Sequence, residues 1–135
     1  MKVFIDAPLL IYLNTLVKPE RRLPYENFYI DLLTKYKTYT DVLVLDEVIY
    51  ISRRKYHVPY KVTVKFIESN VLPYIYILSL GEEEYRGAAK LLTEYNLKPS
   101  DSLHVSAMIN NNISIIVSED REFDKLPMVK RLWID

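Results

Sequence analysis

The sequence predicts an α/β fold, namely a three-layer α/β/α sandwich around a central parallel sheet of four to five strands. Short apolar runs rich in β-forming residues alternate along the chain with longer segments in which apolar residues recur at helical spacing. Every run but the last leads directly into a helical segment. This alternation is typical of a parallel sheet covered by helices on both faces.

Five apolar runs are predicted as the strands of this sheet. They read KVFI, ending at Asp6; DVLVL, ending at Asp46 and Glu47; YIYILSL, ending before Gly81; ISIIV, ending at Ser118; and a weaker VKRLWI near the C-terminus. Their length and their content of valine, isoleucine and tyrosine favour strands over helices.

The segments between the strands are predicted as helices. They are Pro8 to about Val17, YENFYIDLLTKY, EVIYISRRKY, PYKVTVKFIESNVL, EEEYRGAAKLLTEYN, PSDSLHVSAMINNN and a short REFDKL. Proline is allowed in a first turn, as at Pro8, and acids there favour the helix dipole, as in EEEY. Pro99 with a capping Ser100 is expected to begin the last long helix, and its asparagine run to end it.

Composition limits what kind of protein this is. With 135 residues, the chain is expected to form one domain over residues 1–135. It has no cysteine, which excludes disulfides and cysteine-ligated zinc, and only His57 and His104 offer imidazoles. Its 18 basic residues equal its 18 acidic ones, so a polyanion would have to be held by a local patch or by metal. No apolar stretch approaches the ~20 residues of a membrane span, and a soluble cytoplasmic protein is expected.

Acidic residues recur where the predicted strands end. Asp6 ends the first strand, Glu47 lies just past the second, and Asp120 lies just past the fourth. Asp101 opens the helix that leads into the fourth strand, and Asp124 follows Asp120 by one helical turn. Because ligands of parallel sheets bind outside the carboxyl ends of the strands, most of these acids are expected to converge.

Taken singly, each acid also has a structural explanation as a helix cap or as a partner of a helix dipole. As a group, however, they would repel one another unless a divalent cation neutralised them. Oxygen ligands favour Mg²⁺ or Mn²⁺, with Ca²⁺ as a structural possibility. Such a site suits phosphodiester hydrolysis, in which metal lowers the pKa of a bound water.

The ordered motifs VFIDAPLLIYL, LDEVIY, LKPSDSLHVSAM and IIVSEDREFDKL resemble those of PIN-domain nucleases, and particularly the short VapC-type toxins. The resemblance covers essentially the whole chain, and the third and fourth motifs are the specific ones. It implies that Asp6, Glu47, Asp101 and Asp120 bind metal and are catalytic, with Asp124 as an addition.

The resemblance also implies a biological setting. It implies Mg²⁺ or Mn²⁺ dependence, RNA as substrate, a homodimer and inhibition by a cognate antitoxin protein. Ser118 matches a small hydroxyl residue that would orient a carboxylate or a water.

Other residues are candidates for secondary roles. His104 follows Asp101 by one helical turn, and could contact a phosphate, bond to Asp101 or simply be packed. Arg53, Arg54 and Lys55 lie in the one basic concentration, which could bind RNA or be a solvated helix face.

Two other functions remain open. Ala7 and Pro8 follow Asp6 where the family usually has Thr, Ser or Ala and then Asn or Ser, so the chain could be a catalytically weak or inactive interaction module of the same fold. A phosphotransfer receiver domain ranks last, because the third strand does not end at an aspartate.

Overall fold

The computed structural model describes residues 1–134, and its strands form a five-stranded parallel sheet. The strands are β1 (Lys2–Ile5), β2 (Lys37–Asp41), β3 (Tyr76–Leu78), β4 (Ile115–Val117) and β5 (Lys130–Leu132). Their order across the sheet is β3-β2-β1-β4-β5, and all four neighbouring pairs are parallel. All five strands therefore end at one edge.

Helices flank this sheet. The described α-helices are α1 (Ala7–Thr15), α2 (Pro19–Lys35), α3 (Val42–Tyr56), α4 (Tyr60–Asn70), α5 (Glu82–Tyr95) and α6 (Pro99–Asn110), and a 3₁₀ turn covers Arg121–Lys125. The predicted α/β class is confirmed, with five strands and six helices. Within residues 1–134, no helix has the length and apolar character to cross a bilayer.

Strand β1 forms the centre of the core. Val3, Phe4 and Ile5 have no exposed surface, although successive side chains of a strand point to opposite faces. Both faces of β1 are therefore covered, which explains why its sequence is a continuous apolar run. Because β1 pairs with β2 on one side and β4 on the other, residues just past β1 lie in the middle of the sheet edge.

The predicted second strand is wrong, and the difference moves one site residue. The sheet uses β2, whose sequence KTYTD precedes the apolar run, while VLVL forms the first turn of α3. Thr38 and Thr40 are buried, and their hydroxyls donate to the carbonyls of Tyr74 and Ile5. These bonds let a polar sequence form a buried strand, so Glu47 lies in α3 rather than just past a strand.

Smaller differences concern where elements begin. β3 is limited to three residues of the predicted seven, and α2 begins at Pro19 rather than Tyr25. Helix α6 has Pro99 in its first turn as expected, but Lys98 occupies the capping position and Ser100 lies within the helix. The expected helix after Asp120 is a 3₁₀ turn.

A close approach and a pair of hydrogen bonds hold helices against one another. Gly87 of α5 lies so close to α6 that an added Cβ would be 2.3 Å from the Ser106 hydroxyl, so a larger residue could not pack there without movement. Asn14 of α1 donates to Ser52 and Thr63 at 2.9 and 2.8 Å. Its amide nitrogen thus joins α1 to α3 and α4.

Candidate functional site

Asp6 lies at the centre of the sheet edge and is held from two sides. It is 5% exposed, and it caps α1 because its Oδ1 accepts from the backbone N–H of Ala7 at 2.9 Å. Its Oδ2 accepts from the Ser118 hydroxyl at 2.8 Å. The same hydroxyl oxygen accepts from the backbone N–H of Asp120 at 3.1 Å, so Ser118 links the end of β4 to the end of β1.

His104 lies next to Asp6 and bonds to Asp41, a residue that the sequence analysis did not identify as part of the site. It is 1% exposed, and its Nδ1 donates to Oδ2 of the fully buried Asp41 at 2.7 Å. Its other nitrogen, Nε2, lies 4.0 Å from Asp6 Oδ1. The imidazole thus bonds to the carboxylate at the end of β2 and lies near the carboxylate that follows β1.

Asp41 also begins α3. Its Oδ1 accepts from the backbone N–H of Val44 at 3.0 Å, which is the usual bond of a helix-capping aspartate. The local sequence signal for Asp41 is that of a helix-capping aspartate just before α3. The interpretation of DVLVL as a strand hid this signal, because it placed the helix start further along the chain. Its bond to His104, 63 residues away, has no local signal at all.

The buried charges alter the pKa of the groups that carry them. Burial raises the pKa of Asp6 and outweighs the favourable effects of His104 and Ser118. Burial alone would lower the pKa of His104, but its hydrogen bond to Asp41 and the surrounding negative charges raise that pKa above the ordinary value. Asp6 and His104 are therefore coupled electrostatically.

Asp101 and Glu47 belong to the same electrostatic group. Burial, followed by the charge of Asp6, raises the pKa of Asp101 to about 6, and the charge of Asp120 adds to this effect. Glu47 is exposed as a residue, but partial desolvation of its carboxyl group and the charge of Asp6 raise its pKa as well. The charge of Asp6 thus acts on Asp101 and Glu47, and the charge of Asp120 acts on Asp6 and Asp101.

This donor set fits a divalent cation by its chemistry and its charge. Carboxylate oxygens suit Mg²⁺ and Mn²⁺, and a cation would favour the ionised forms of these acids, which burial and neighbouring negative charges disfavour. Within residues 1–134, no three carboxylate or imidazole side chains meet the geometry of a formed metal site. The fit is therefore one of ligand type and electrostatics.

Asp124, the fifth predicted acid, has a different partner. Its two carboxylate oxygens accept from Arg131 Nε and Nη2 at 2.9 and 3.3 Å. This pair lowers the pKa of the exposed Asp124 carboxyl. Since the side chain is tied to β5, we leave it out of the candidate metal ligands.

The predicted RNA-binding residues form an exposed basic turn at the end of α3. The side chains of Arg53, Arg54 and Lys55 lie over the rings of Tyr60, Tyr50 and Tyr56, with the cation 5.7 to 5.9 Å from the ring centroid. Each cation thus has an aromatic neighbour, which is the pairing that single-strand binders use.

We expect the metal-free protein to lose stability as the pH rises from about 4 to 7. The folded-state pKa values of Asp101, Asp6 and Glu47 are raised, so the native state binds more protons than the unfolded chain above pH ~4, and the free energy of unfolding falls with pH. His104 acts in the same direction, because stability from its raised pKa is lost as pH rises through that pKa.

Melting temperatures between pH 4.5 and 7.5 in EDTA measure this slope. The Asp101→Asn variant should show a shallower slope than the wild type between pH 4.5 and about 6, so the two melting temperatures should differ most above pH 6. An identical slope in both proteins would contradict the raised pKa of Asp101.

Solved structures share this fold. The VapBC2 complex of Rickettsia felis, bound to a promoter DNA fragment, matches with a TM-score of 0.74 and 18% identity, over 100% of both chains. VapC20 of Mycobacterium tuberculosis, a sarcin-ricin loop cleaving toxin, matches with a TM-score of 0.73 and 13% identity, over 90% of this chain and 92% of that one. VapBC-1 of nontypeable Haemophilus influenzae matches with a TM-score of 0.69 and 15% identity, over 98% and 97%.

At such identities these structures establish a common fold. No curated protein sequence matches the chain. The PIN domain family, by contrast, matches residues 3–128, a range that contains all the acids of the candidate site. The chain therefore belongs to the PIN-domain family.

Proposed function

We propose that this protein is an endoribonuclease that hydrolyses RNA phosphodiester bonds with Mg²⁺ or Mn²⁺, and that it is the toxin of a toxin–antitoxin pair. The observation that carries the proposal is the electrostatic group formed by Asp6, Glu47, Asp101 and Asp120. These acids come from separate elements of the chain, and burial and mutual repulsion raise the pKa of three of them.

In this proposal the four acids hold the cation and are the catalytic group. When bound, the metal supplies a polarised phosphoryl oxygen and a water of lowered pKa. Ser118 keeps the Asp6 carboxylate oriented, because its hydroxyl donates to Oδ2 at 2.8 Å. The Nε2 atom of His104 lies 4.0 Å from Asp6, and because the pKa of His104 is raised, its protonated form is favoured and would limit the repulsion between the acids when no metal is bound.

The proposed substrate is RNA, approached through the basic turn at the end of α3. Arg53, Arg54 and Lys55 are exposed, and their tyrosine neighbours offer faces for unpaired bases. The overall charge is zero, so binding would depend on this local patch and on the metal.

The proposed partners are an antitoxin protein and a second copy of the chain, acting in the cytoplasm. Support comes from the similar structures, since those from Rickettsia felis and Haemophilus influenzae are VapBC proteins and one from Klebsiella pneumoniae is a toxin-antitoxin complex. A small DNA-binding antitoxin encoded beside this chain would support this part of the proposal.

The alternative function, an inactive interaction module, depended on poor support for Asp6 by Pro8. Pro8 lies in the first turn of α1, where a missing N–H leaves no helical bond unmade. Asp6 nevertheless accepts two hydrogen bonds, from Ala7 and Ser118. This support favours the enzymatic function.

Cleavage of single-stranded RNA with Mn²⁺, Mg²⁺ or EDTA tests the proposal. We expect cleavage only with metal, and we expect Asp120→Asn to abolish it. Asp124→Asn is the matched control, because Asp124 follows by four residues but pairs with Arg131. Circular dichroism should show that both variants are folded.

Full activity in Asp120→Asn, or cleavage in EDTA, would overturn the proposed mechanism. Equal loss of activity in both variants would show that Asp124 was wrongly left out of the metal ligands.

A further inference from the structure

A cleft lies between α1, α2 and the end of β5, outside the acidic group. Its volume is about 360 Å³, and its walls include Tyr12, Arg21, Tyr25 and Ile134. We refer to it as the aromatic cleft. Trp133 backs it, because the centroid of its ring lies 6.5 Å from that of Tyr12 and 6.3 Å from that of Tyr25.

The topology places the aromatic cleft beside the candidate metal site. Strands β4 and β5 are parallel neighbours, about 5 Å apart, so Asp120 after β4 and Trp133 after β5 lie at the same edge. A side-chain bond makes the same connection, since the Tyr12 hydroxyl donates to Glu119, the residue before Asp120. If a single RNA strand places one phosphate at the acidic group, a neighbouring nucleotide of the same strand would therefore reach the cleft.

The side chains of the cleft suit a nucleobase. The Tyr12 and Tyr25 rings lie 4.8 Å apart and are only partly buried, so they offer aromatic surface without being fully covered by the core. Stacking on such rings accepts any base, because every base has a π-face. The exposed Arg21 at the rim can pair with a phosphate, and Glu20 beside it can accept from an exocyclic amino group.

The charges of the cleft indicate which ligand it would take. The Tyr12 hydroxyl donates a hydrogen bond to the Glu119 carboxylate, and partial burial together with this bond raises the pKa of Tyr12. On the wall of the cleft, the exposed guanidinium of Arg21 is the group that a phosphate would meet. This distribution favours a nucleotide, with its flat apolar base and its anionic phosphate, over a purely apolar side chain of a protein.

We propose that the aromatic cleft binds one unpaired nucleobase of a single-stranded RNA, adjacent to the phosphate at the carboxylate group. This inference rests on the proposed ribonuclease function and adds to it a requirement for unpaired bases. Tyr25 provides the stacking surface, and Arg21 holds the neighbouring phosphate.

The chain carries its own reporter for this site. Trp133 is the single tryptophan, and its ring contacts the two tyrosines of the cleft. We would titrate the full-length protein with a single-stranded hexaribonucleotide in EDTA, which prevents metal-dependent cleavage, and follow the emission of Trp133. A saturable change in emission is expected, and a duplex of the same RNA should bind at least fivefold more weakly.

Matched variants separate stacking from general attraction. Tyr25→Leu should weaken binding at least about fivefold, whereas Tyr25→Phe, which keeps the ring, should bind within about twofold of the wild type. Arg21→Gln should also weaken binding. Arg22→Gln is its control, because Arg22 pairs with Glu26 and lines a different cavity. A cooperative melting transition of Tyr25→Leu near that of the wild type would show that its weaker binding does not come from unfolding.

The outcomes distinguish this proposal from the proposed function. The nucleobase site would be overturned by any of three results: no emission change with the single strand, equal binding of the duplex, or unchanged binding by Tyr25→Leu. The last two results would indicate that the RNA is held only by attraction to its phosphates. Because binding is measured in EDTA, a protein that binds as expected but fails to cleave RNA with Mn²⁺ would overturn only the enzymatic proposal.

Discussion

Asp6→Asn is expected to reduce metal-dependent RNA cleavage by more than about 100-fold while making the metal-free protein more stable at pH 7. Removing an outer partner of a metal ligand already costs 10- to 100-fold, so removing the charge of a central ligand should cost more. The gain in stability follows from burial, which raises the pKa of Asp6 and so penalises its ionised form. Asparagine keeps an oxygen that can accept from Ala7, so the helix cap is retained.

Two measurements are needed for this variant. A gel assay of RNA cleavage gives the rate, and thermal melting with and without Mn²⁺ gives the metal effect, because a ligand that binds only the native state raises the melting temperature. The wild type should melt higher with Mn²⁺, and Asp6→Asn should not respond. If the variant cleaved at the wild-type rate, Asp6 would be a helix cap and nothing more.

Asp41→Ala is expected to lower the free energy of unfolding by about 3–5 kcal/mol, which is the typical cost of removing one partner from a buried charged pair. Asp41 is fully buried, and its two carboxylate oxygens bond to the His104 ring and the Val44 backbone. Alanine would remove the helix cap, which contributes about 1 kcal/mol, and leave the buried imidazole without its acceptor. Urea unfolding at pH 7 measures the change.

Two further variants assign this loss to its causes. Asp41→Ser retains an oxygen that can cap α3, but it has no negative charge to pair with His104. It should therefore recover only the smaller part of the lost free energy of unfolding, the part due to the cap. Asp46→Ala removes an exposed acid from the same helix and should change stability by less than about 0.5 kcal/mol. A stability of Asp41→Ala equal to that of the wild type would refute the view that Asp41 anchors His104.

The parts of the fold that the sequence predicted well are those with a local physical signal. The strands that begin with KVFI and ISIIV are short apolar runs followed by acids, and they form β1 and β4 with Asp6 and Asp120 just beyond them. The predicted second strand was wrong because VLVL is equally compatible with the first turn of an amphipathic helix, in which Val44 is buried and Val42 is exposed. Strand β2 was missed because its threonines find their partners, Tyr74 and Ile5, only in the folded sheet.

Amino-acid order was sufficient for the α/β class, because the class follows from periodicity. Residue chemistry added the prediction, still to be tested, that carboxylates at one sheet edge offer oxygen ligands to a cation. Tertiary structure alone gave the partners of the acids: Asp124 pairs with Arg131 of β5, and Asp41 bonds to His104. The physical reason is that a carboxylate's role depends on the charge and burial that distant segments bring to it. Periodicity reports the face of an element, but it carries no information about the partner across the fold.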